Sequence, residues 1–317
     1  MSITAYIKEI GRGKEGARSL SRPQAHDLMS QVLDGKVTDL EIGAFALSMR
    51  IKGESVDELA GFHEATRERC ISFATSKPFV LLPSYNGSRK LPNLTPLLAL
   101  LLAQEGLSVL VHGPAHDRAR VTTAEIFHDL GLPAARDGSE IENAWSRREP
   151  AFMRTDVLCP ELARLLDVRW IVGLRNSGHT VAKVLDPFAE ALSLRVMNYT
   201  HPEYATLLAS FVQATDANAM LMRGTEGEPV ADPRRAPKLD VYVHGALRAD
   251  LSSAAHEGVL TELPVLPREQ NASSTAMYIQ SVLSGEKPAP APLLQQVESL
   301  RRALAVVASP HGLEKSA

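Results

Sequence analysis

The sequence predicts an α/β protein in two parts: a small helical N-terminal domain over residues 1–72, and a larger α/β domain with a central mixed sheet over residues 73–317. Three observations predict it. Through the first 72 residues, apolar positions recur at three- and four-residue spacing between helix start and stop signals. Beyond them, Phe79-Val80-Leu81-Leu82, Leu107-Ser108-Val109-Leu110-Val111 and Ala219-Met220-Leu221-Met222 read as strands alternating with helical stretches, the pattern of a sheet with helical crossovers. The chain's 317 residues, 44% of them hydrophobic, suffice to bury a full core.

The elements follow in order. Ser21 and Thr38 are N-cap candidates, Gly35 and Gly53 are stop signals, and Glu58-Leu59-Ala60-Gly61 continues the helical pattern. After the first strand comes a polar loop, Ser84 to Asn93; after the second, His112-Gly113, with Glu125 at the start of the next helix. Lys287 to Pro292 is a stiff Pro/Ala-rich connector before a final helix, Leu293 to Val307. No internal repeat or low-complexity tract is evident.

Composition narrows the function classes. Cys70 and Cys159 stand far apart in no metal or redox spacing, which reads as packing thiols in a reducing compartment. The longest apolar run, Leu97 to Ala103, is too short to span a bilayer and no charged leader starts the chain, so a soluble, cytoplasmic protein with no membrane partner is expected. A net charge of -3 gives no global attraction to a polyanion, so any such binding must come from local basic clusters. No recognition helix, zinc pattern or RNA-recognition signature appears, and aromatics make up only 5% of residues, which leaves backbone-dominated, salt-sensitive contacts as the expected form.

The stretch from Leu82 to Thr95, with His112-Gly113, carries the most chemistry. A diphosphate demands close backbone approach, which glycines permit, together with amide donors and cations. The N-terminal helix signals, Asn93-Leu94-Thr95 and His112-Gly113 together resemble the anthranilate phosphoribosyltransferase family. Where its active members carry a G-T-G-G-D loop, this chain has Pro83-Ser84-Tyr85-Asn86-Gly87, with one glycine and a proline that lacks an N-H. The K-H-G-N-R segment becomes Val111-His112-Gly113-Pro114-Ala115; Thr123 falls on a family serine and Arg120 on a basic position. The adjacent Asp-Glu pair that would hold Mg²⁺ becomes Glu226-Gly227-Glu228 beside Arg223, read as solvated loop charges, and the anthranilate-binding Arg falls near Ala163.

The resemblance therefore implies a former phosphate site at Ser84, Asn86, Gly87, Asn93, Thr95, His112, Gly113 and Thr123, with no catalytic residue, no metal and no cofactor. Arg175-Asn176-Ser177-Gly178-His179-Thr180, with His201-Pro202-Glu203-Tyr204 and Gly224-Thr225-Glu226-Gly227-Glu228, is similar to the YbiB group, a subfamily that keeps the fold and binds nucleic acids. As bare chemistry, the first of these strings suits either phosphate contacts or a helix-capping turn. The YbiB resemblance implies non-enzymatic binding of nucleic acid, single-stranded or duplex DNA or else RNA; the local basic clusters supply Arg89, Lys90, Arg118, Arg120, Arg175, Lys183 and Arg223 as candidate contacts, with Arg12, Lys14, Arg18, Arg234 and Arg235 as further ones. The anthranilate phosphoribosyltransferase resemblance implies a homodimer through the helical domain, onto which a helical return near 160–188 packs. The alternative is a phosphoribosyltransferase acting on anthranilate or an altered substrate, for which the retained Asn93, His112, Gly113 and Thr123 speak; these residues can equally be fold constraints.

Overall fold

A computed structural model of the chain describes residues 2–73, 75–188 and 192–309. In chain order the elements are α1 (Thr4–Ile10), α2 (Gly13–Gly16), α3 (Arg22–Leu33), α4 (Asp39–Lys52), α5 (Val56–Arg67), β1 (Phe79–Pro83), α6 (Thr95–Gln104) and β2 (Ser108–Gly113). Next come α7 (Thr123–Asp129), β3 (Ala134–Ala135), α8 (Gly138–Ser146), β4 (Ala151–Arg154), α9 (Thr155–Leu158), α10 (Pro160–Asp167), α11 (Arg169–Val172) and α12 (Ser177–Val184). The chain then forms β5 (Ser193–Tyr199), α13 (Glu203–Ala214), β6 (Ala219–Arg223), β7 (Leu239–Val243), β8 (Ala246–Leu247), α14 (Ala272–Leu283) and α15 (Ala291–Val307).

These elements make two compact units. The helical unit combines residues 1–72 with 155–189; the α/β unit combines 73–154 with 190–317. Capping boxes start the helices that frame both. Thr38 Oγ1 accepts from the Glu41 amide at 3.3 Å while Glu41 accepts from the Thr38 amide at 2.9 Å, and Ser55 with Glu58, and Thr122 with Glu125, repeat the arrangement. Gly53 ends α4 at φ +81°, a conformation that costs glycine little. Glu58 is fully buried and triply used: it accepts from Lys52 Nζ at 2.6 Å, the Ser55 amide at 2.8 Å and the Leu20 amide at 2.9 Å. A buried carboxylate needs such partners to remain in the core.

The helical unit draws on both chain segments, with α10 packing on α3 and α12 on α5. At the seam between segments the Ile71 amide donates to the Leu158 carbonyl at 2.8 Å. Cys70 and Cys159, far apart in the sequence, flank that bond as free thiols.

The α/β unit holds one eight-stranded sheet in the order β3-β4-β2-β1-β5-β6-β7-β8. The strands from β3 through β6 run parallel, and β7 and β8 turn antiparallel, which makes the sheet mixed as expected. The three expected strands are present, whereas β3, β4, β5, β7 and β8 went unread. The β3 and β8 strands have two residues each, and β5 interrupts its apolar run with Arg195 and Asn198. Val80 and Leu82, Val109 and Val111, Val196, and Met220 and Met222 join Leu97, Leu98 and Leu102 of α6 and Leu300 and Leu304 of α15 in one core. No helix among the described residues is long and apolar enough to cross a membrane.

Candidate functional site

Chain order reverses at the middle of the sheet, where β1 leads toward β2 on one side while its other neighbour, β5, leads toward β6. In open α/β sheets a crevice forms at such a point outside the carboxyl ends of the strands. Here those ends release three segments of sequence interest: the loop after Pro83, His112-Gly113 at the end of β2, and the turn after Arg223.

Two glycines let the backbones close up. A Cβ on Gly113 would lie 1.8 Å from the Ser84 carbonyl oxygen, and the Ser84 amide donates to the His112 carbonyl at 2.8 Å. Gly87 sits at φ +66°, where a Cβ would come within 2.7 Å of the Val121 carbonyl oxygen. Both positions require the residue they hold.

The centre of the loop is occupied by the protein's own carboxylate. Glu228 has no solvent exposure, and its Oε1 accepts from the backbone amides of Asn86 at 2.8 Å and Gly87 at 2.7 Å. Its Oε2 accepts from Thr95 Oγ1 at 3.2 Å and from Ser84 Oγ. Thr123 Oγ1 pairs with Ser84 Oγ at 2.6 Å and accepts from Asn93 Nδ2 at 3.0 Å, while Asn93 Oδ1 accepts from the Thr95 amide at 3.1 Å. Six of the eight residues expected at the former phosphate site thus form one network around Glu228. His112, through its carbonyl, and Gly113 build the floor.

Glu226 treats the rim of the same loop in the same way. It accepts from the Lys90 amide at 2.8 Å and the Leu91 amide at 2.9 Å; its own carbonyl accepts from Asn86 Nδ2. The Arg120 guanidinium donates to the Gly87 carbonyl at 3.1 Å and lies 3.7 Å from the Glu226 carboxylate, so it braces the loop. Glu226 and Gly227 take consecutive positive φ values of +54° and +89°, and the tight turn folds both glutamates back onto the loop. The reading of Glu226 and Glu228 as solvated loop charges is therefore corrected. The overlooked signal was complementary: a loop whose diphosphate-type donors persist needs an acceptor, and a Glu-Gly-Glu turn supplies two. Burial pushes the Glu228 carboxyl above its ordinary range, opposed by the Ser84 hydroxyl, the Gly87 and Asn86 amides and the Thr95 hydroxyl.

These carboxylates do not fit Mg²⁺. Their oxygens are engaged by amides and hydroxyls, Arg120 stands against Glu226, and no group of three potential metal ligands occurs among the described residues.

Beside the plugged loop, still within the α/β unit, lies a cavity of about 680 Å³ lined by Lys90, Tyr199, Arg223, Arg234, Arg235, Lys238 and His256, among others. Arg234 is paired with Asp232 and Lys238 with Asp240, each at 2.9 Å. Lys90, Arg223 and Arg235 are exposed and make no ion pair among the described residues. Of the basic residues proposed from sequence, Lys90 and Arg223 meet here, joined by Arg234 and Arg235; Arg89 is exposed next to Lys90, and Arg118 is exposed on the loop before Arg120.

Arg175 and Lys183 belong to the helical unit. The string around them acts as a capping turn. Asn176 Oδ1 accepts from the Gly178 amide at 2.9 Å, Asn176 Nδ2 donates to the Leu165 carbonyl at 2.7 Å, and Ser177 Oγ donates to Glu54 at 2.7 Å. The His179 ring accepts from the Asn176 amide at 3.3 Å, and burial, with Arg175 and Arg169, lowers its pKa to about 3. Ala163 lies on α10, where its neighbour Arg164 donates to the Leu33 carbonyl at 3.2 Å instead of facing a ligand.

Residues 4–70 match the helical bundle domain of the glycosyl transferase family. The chain is 40% identical over 300 residues to the uncharacterized protein YbiB of Escherichia coli strain K12, covering 94% of this chain and 92% of that protein. It is 24% identical over 294 residues to an anthranilate phosphoribosyltransferase of Moorella thermoacetica, covering 90% and 83% of the two. The crystal structure of anthranilate phosphoribosyltransferase from Thermus thermophilus superposes with a TM-score of 0.70 at 20% identity over 95% of this chain and 93% of that one.

Proposed function

The chain belongs to the YbiB family and carries the anthranilate phosphoribosyltransferase fold, and on that premise we propose that it is a non-enzymatic nucleic-acid-binding protein whose diphosphate site has been closed from within. One observation carries the proposal: Glu228 and Glu226 take up the loop's backbone donors while Lys90, Arg223 and Arg235 stand unpaired in the cavity alongside. A diphosphate would have to displace a fully buried carboxylate, whereas a phosphate chain running past the loop meets open cations. Contacts of this kind neutralise phosphates without reading base edges, so binding is sequence-tolerant and weakens steeply with salt.

The test is a titration of labelled single-stranded and duplex oligonucleotides over a salt series, with the wild type compared with Lys90→Ala, Arg223→Ala and Arg235→Ala. Each lost phosphate contact reduces the log–log salt slope by about one unit. Arg147→Ala, on a residue paired with Glu149 at 2.7 Å outside the cavity, serves as the control and leaves the slope unchanged. Equal weakening by the control and the cavity variants would remove the cavity from the argument.

The second reading is phosphoribosyl transfer, and the comparisons favour it, since the enzymes named among the relatives and structural neighbours are anthranilate phosphoribosyltransferases. Against it stand the occupied loop, the unsuitable carboxylates and Ala163. Product formation from anthranilate, phosphoribosyl diphosphate and Mg²⁺ above a no-protein control would decide for the enzyme. The homodimer remains part of the proposal: the outer face of α4 exposes Leu40, Leu47 and Ile51, spaced to lie along one side of the helix, a seam suited to a second copy.

A further inference from the structure

The two cysteines of the chain meet at the seam of the helical unit, apart from the cleft. Cys70 follows α5 and is half-buried; Cys159 caps α10 and is fully buried. The Ile71 amide donates to the Leu158 carbonyl at 2.8 Å, which sets Cys70 and Cys159 side by side. Their sulfurs converge on one acceptor, the Thr66 carbonyl, at 3.5 Å and 3.9 Å. We propose that Cys70 and Cys159 are an oxidation site that a hydroperoxide converts to an intramolecular disulfide, and that the bond locks the exit of the chain from the helical unit to its return.

Hydrogen-bonded backbone beside both cysteines and a carbonyl acceptor common to their sulfurs bring the two side chains to one spot, and a disulfide there requires Cβ carbons about 3.8 Å apart. The contact between the thiols acts in opposite directions on the two: it holds the Cys159 thiol below its ordinary range against the effect of burial and, together with burial, raises the Cys70 thiol, so Cys159 is the sulfur that gives up its proton first. Cys70, the sulfur open to solvent, passes its proton to the Cys159 thiolate and attacks the peroxide oxygen; the O–O bond breaks, the alkoxide takes a proton from water and leaves as an alcohol, and Cys70 becomes a sulfenic acid. The Cys159 sulfur then attacks that of Cys70 and expels the hydroxyl, which departs as water with the Cys159 proton. Two thiols and one hydroperoxide yield one disulfide, one alcohol and one water, the sulfurs being oxidised by two electrons and the peroxide reduced by two. Cys159 shields Cys70 from further oxidation because it lies closer than a second peroxide.

The experiment treats the native full-length chain with hydrogen peroxide, then measures free thiols, intact mass and the non-reducing peptide map. The expected result is loss of both thiols, a mass lower by two hydrogens, a Cys70–Cys159 linked peptide, reversal by dithiothreitol, and a melting temperature raised on the order of 10 °C by closure of the long loop. Cys70→Ser leaves Cys159 unreacted, while Cys159→Ser drives Cys70 to oxygenated forms; either variant alone decides the matter should the other fail to fold. Oxygen addition or intermolecular linkage in the wild type would overturn the proposal, as would two thiols that stay free after the peroxide has oxidised an exposed control thiol.

Discussion

Glu228 takes up the amides of the loop after β1, and its removal has a calculable consequence. Glu228→Ala leaves the Asn86 and Gly87 amides and two hydroxyls buried without their acceptor, at a cost of about 2–4 kcal/mol. Inorganic phosphate should return part of that loss to the variant and do nothing for the wild type. Urea denaturation of both proteins with and without phosphate checks this, and equal responses would show that the loop holds no latent anion site. Asp34 makes a separate prediction. Hydrogen bonds from Arg69 and Lys36 lower its carboxyl from 3.8 to about 2, so its stabilising effect is complete above the ordinary value and fades as pH falls from there toward 2. Asp34→Asn should flatten the acid limb of a stability–pH profile while leaving neutral stability changed by less than about 1 kcal/mol, the usual size for a partly exposed pair.

Among the elements, α4 shows best how local sequence becomes structure. Its start was legible because Thr38 and Glu41 have the spacing of a reciprocal cap, and Thr38→Ala should cost about 1 kcal/mol in thermal or chemical unfolding. Its outer face bears on assembly. Leu47→Glu with Ile51→Glu should leave helix content intact and produce monomers in sedimentation equilibrium; an unaltered molecular mass would discard α4 as a dimer seam. The strands were less readable than the helices. The β1, β2 and β6 strands are continuous apolar runs, whereas Arg195 and Asn198 break β5, and β3 is too short for any period to register. The site was legible as residues and not as a state. Ser84, Asn86, Gly87, Asn93, Thr95 and Thr123 could be named from the family resemblance, but the carboxylate they surround lies over 100 positions later in the chain, brought there by a turn whose left-handed residues no alternation of polar and apolar positions reveals.

For the molecule as a whole, the order of its parts along the chain has a temporal meaning. The helical unit is discontinuous: α1 to α5 come first, and α10 and α12, which pack on α3 and α5, follow only after residues 73–154 of the α/β unit. A ribosome adds roughly 5–20 residues per second, so the first five helices wait several seconds for the partners that bury Leu162, Leu165 and Val181 against them. During that interval they present uncovered apolar faces near the exit tunnel, and half of the future sheet emerges without β5 and β6 to pair with it. The newborn chain therefore depends on protection by chaperones more than a protein of sequential domains would, and a codon change that slows translation between β1 and β4 should lower the soluble yield without altering a single amino acid.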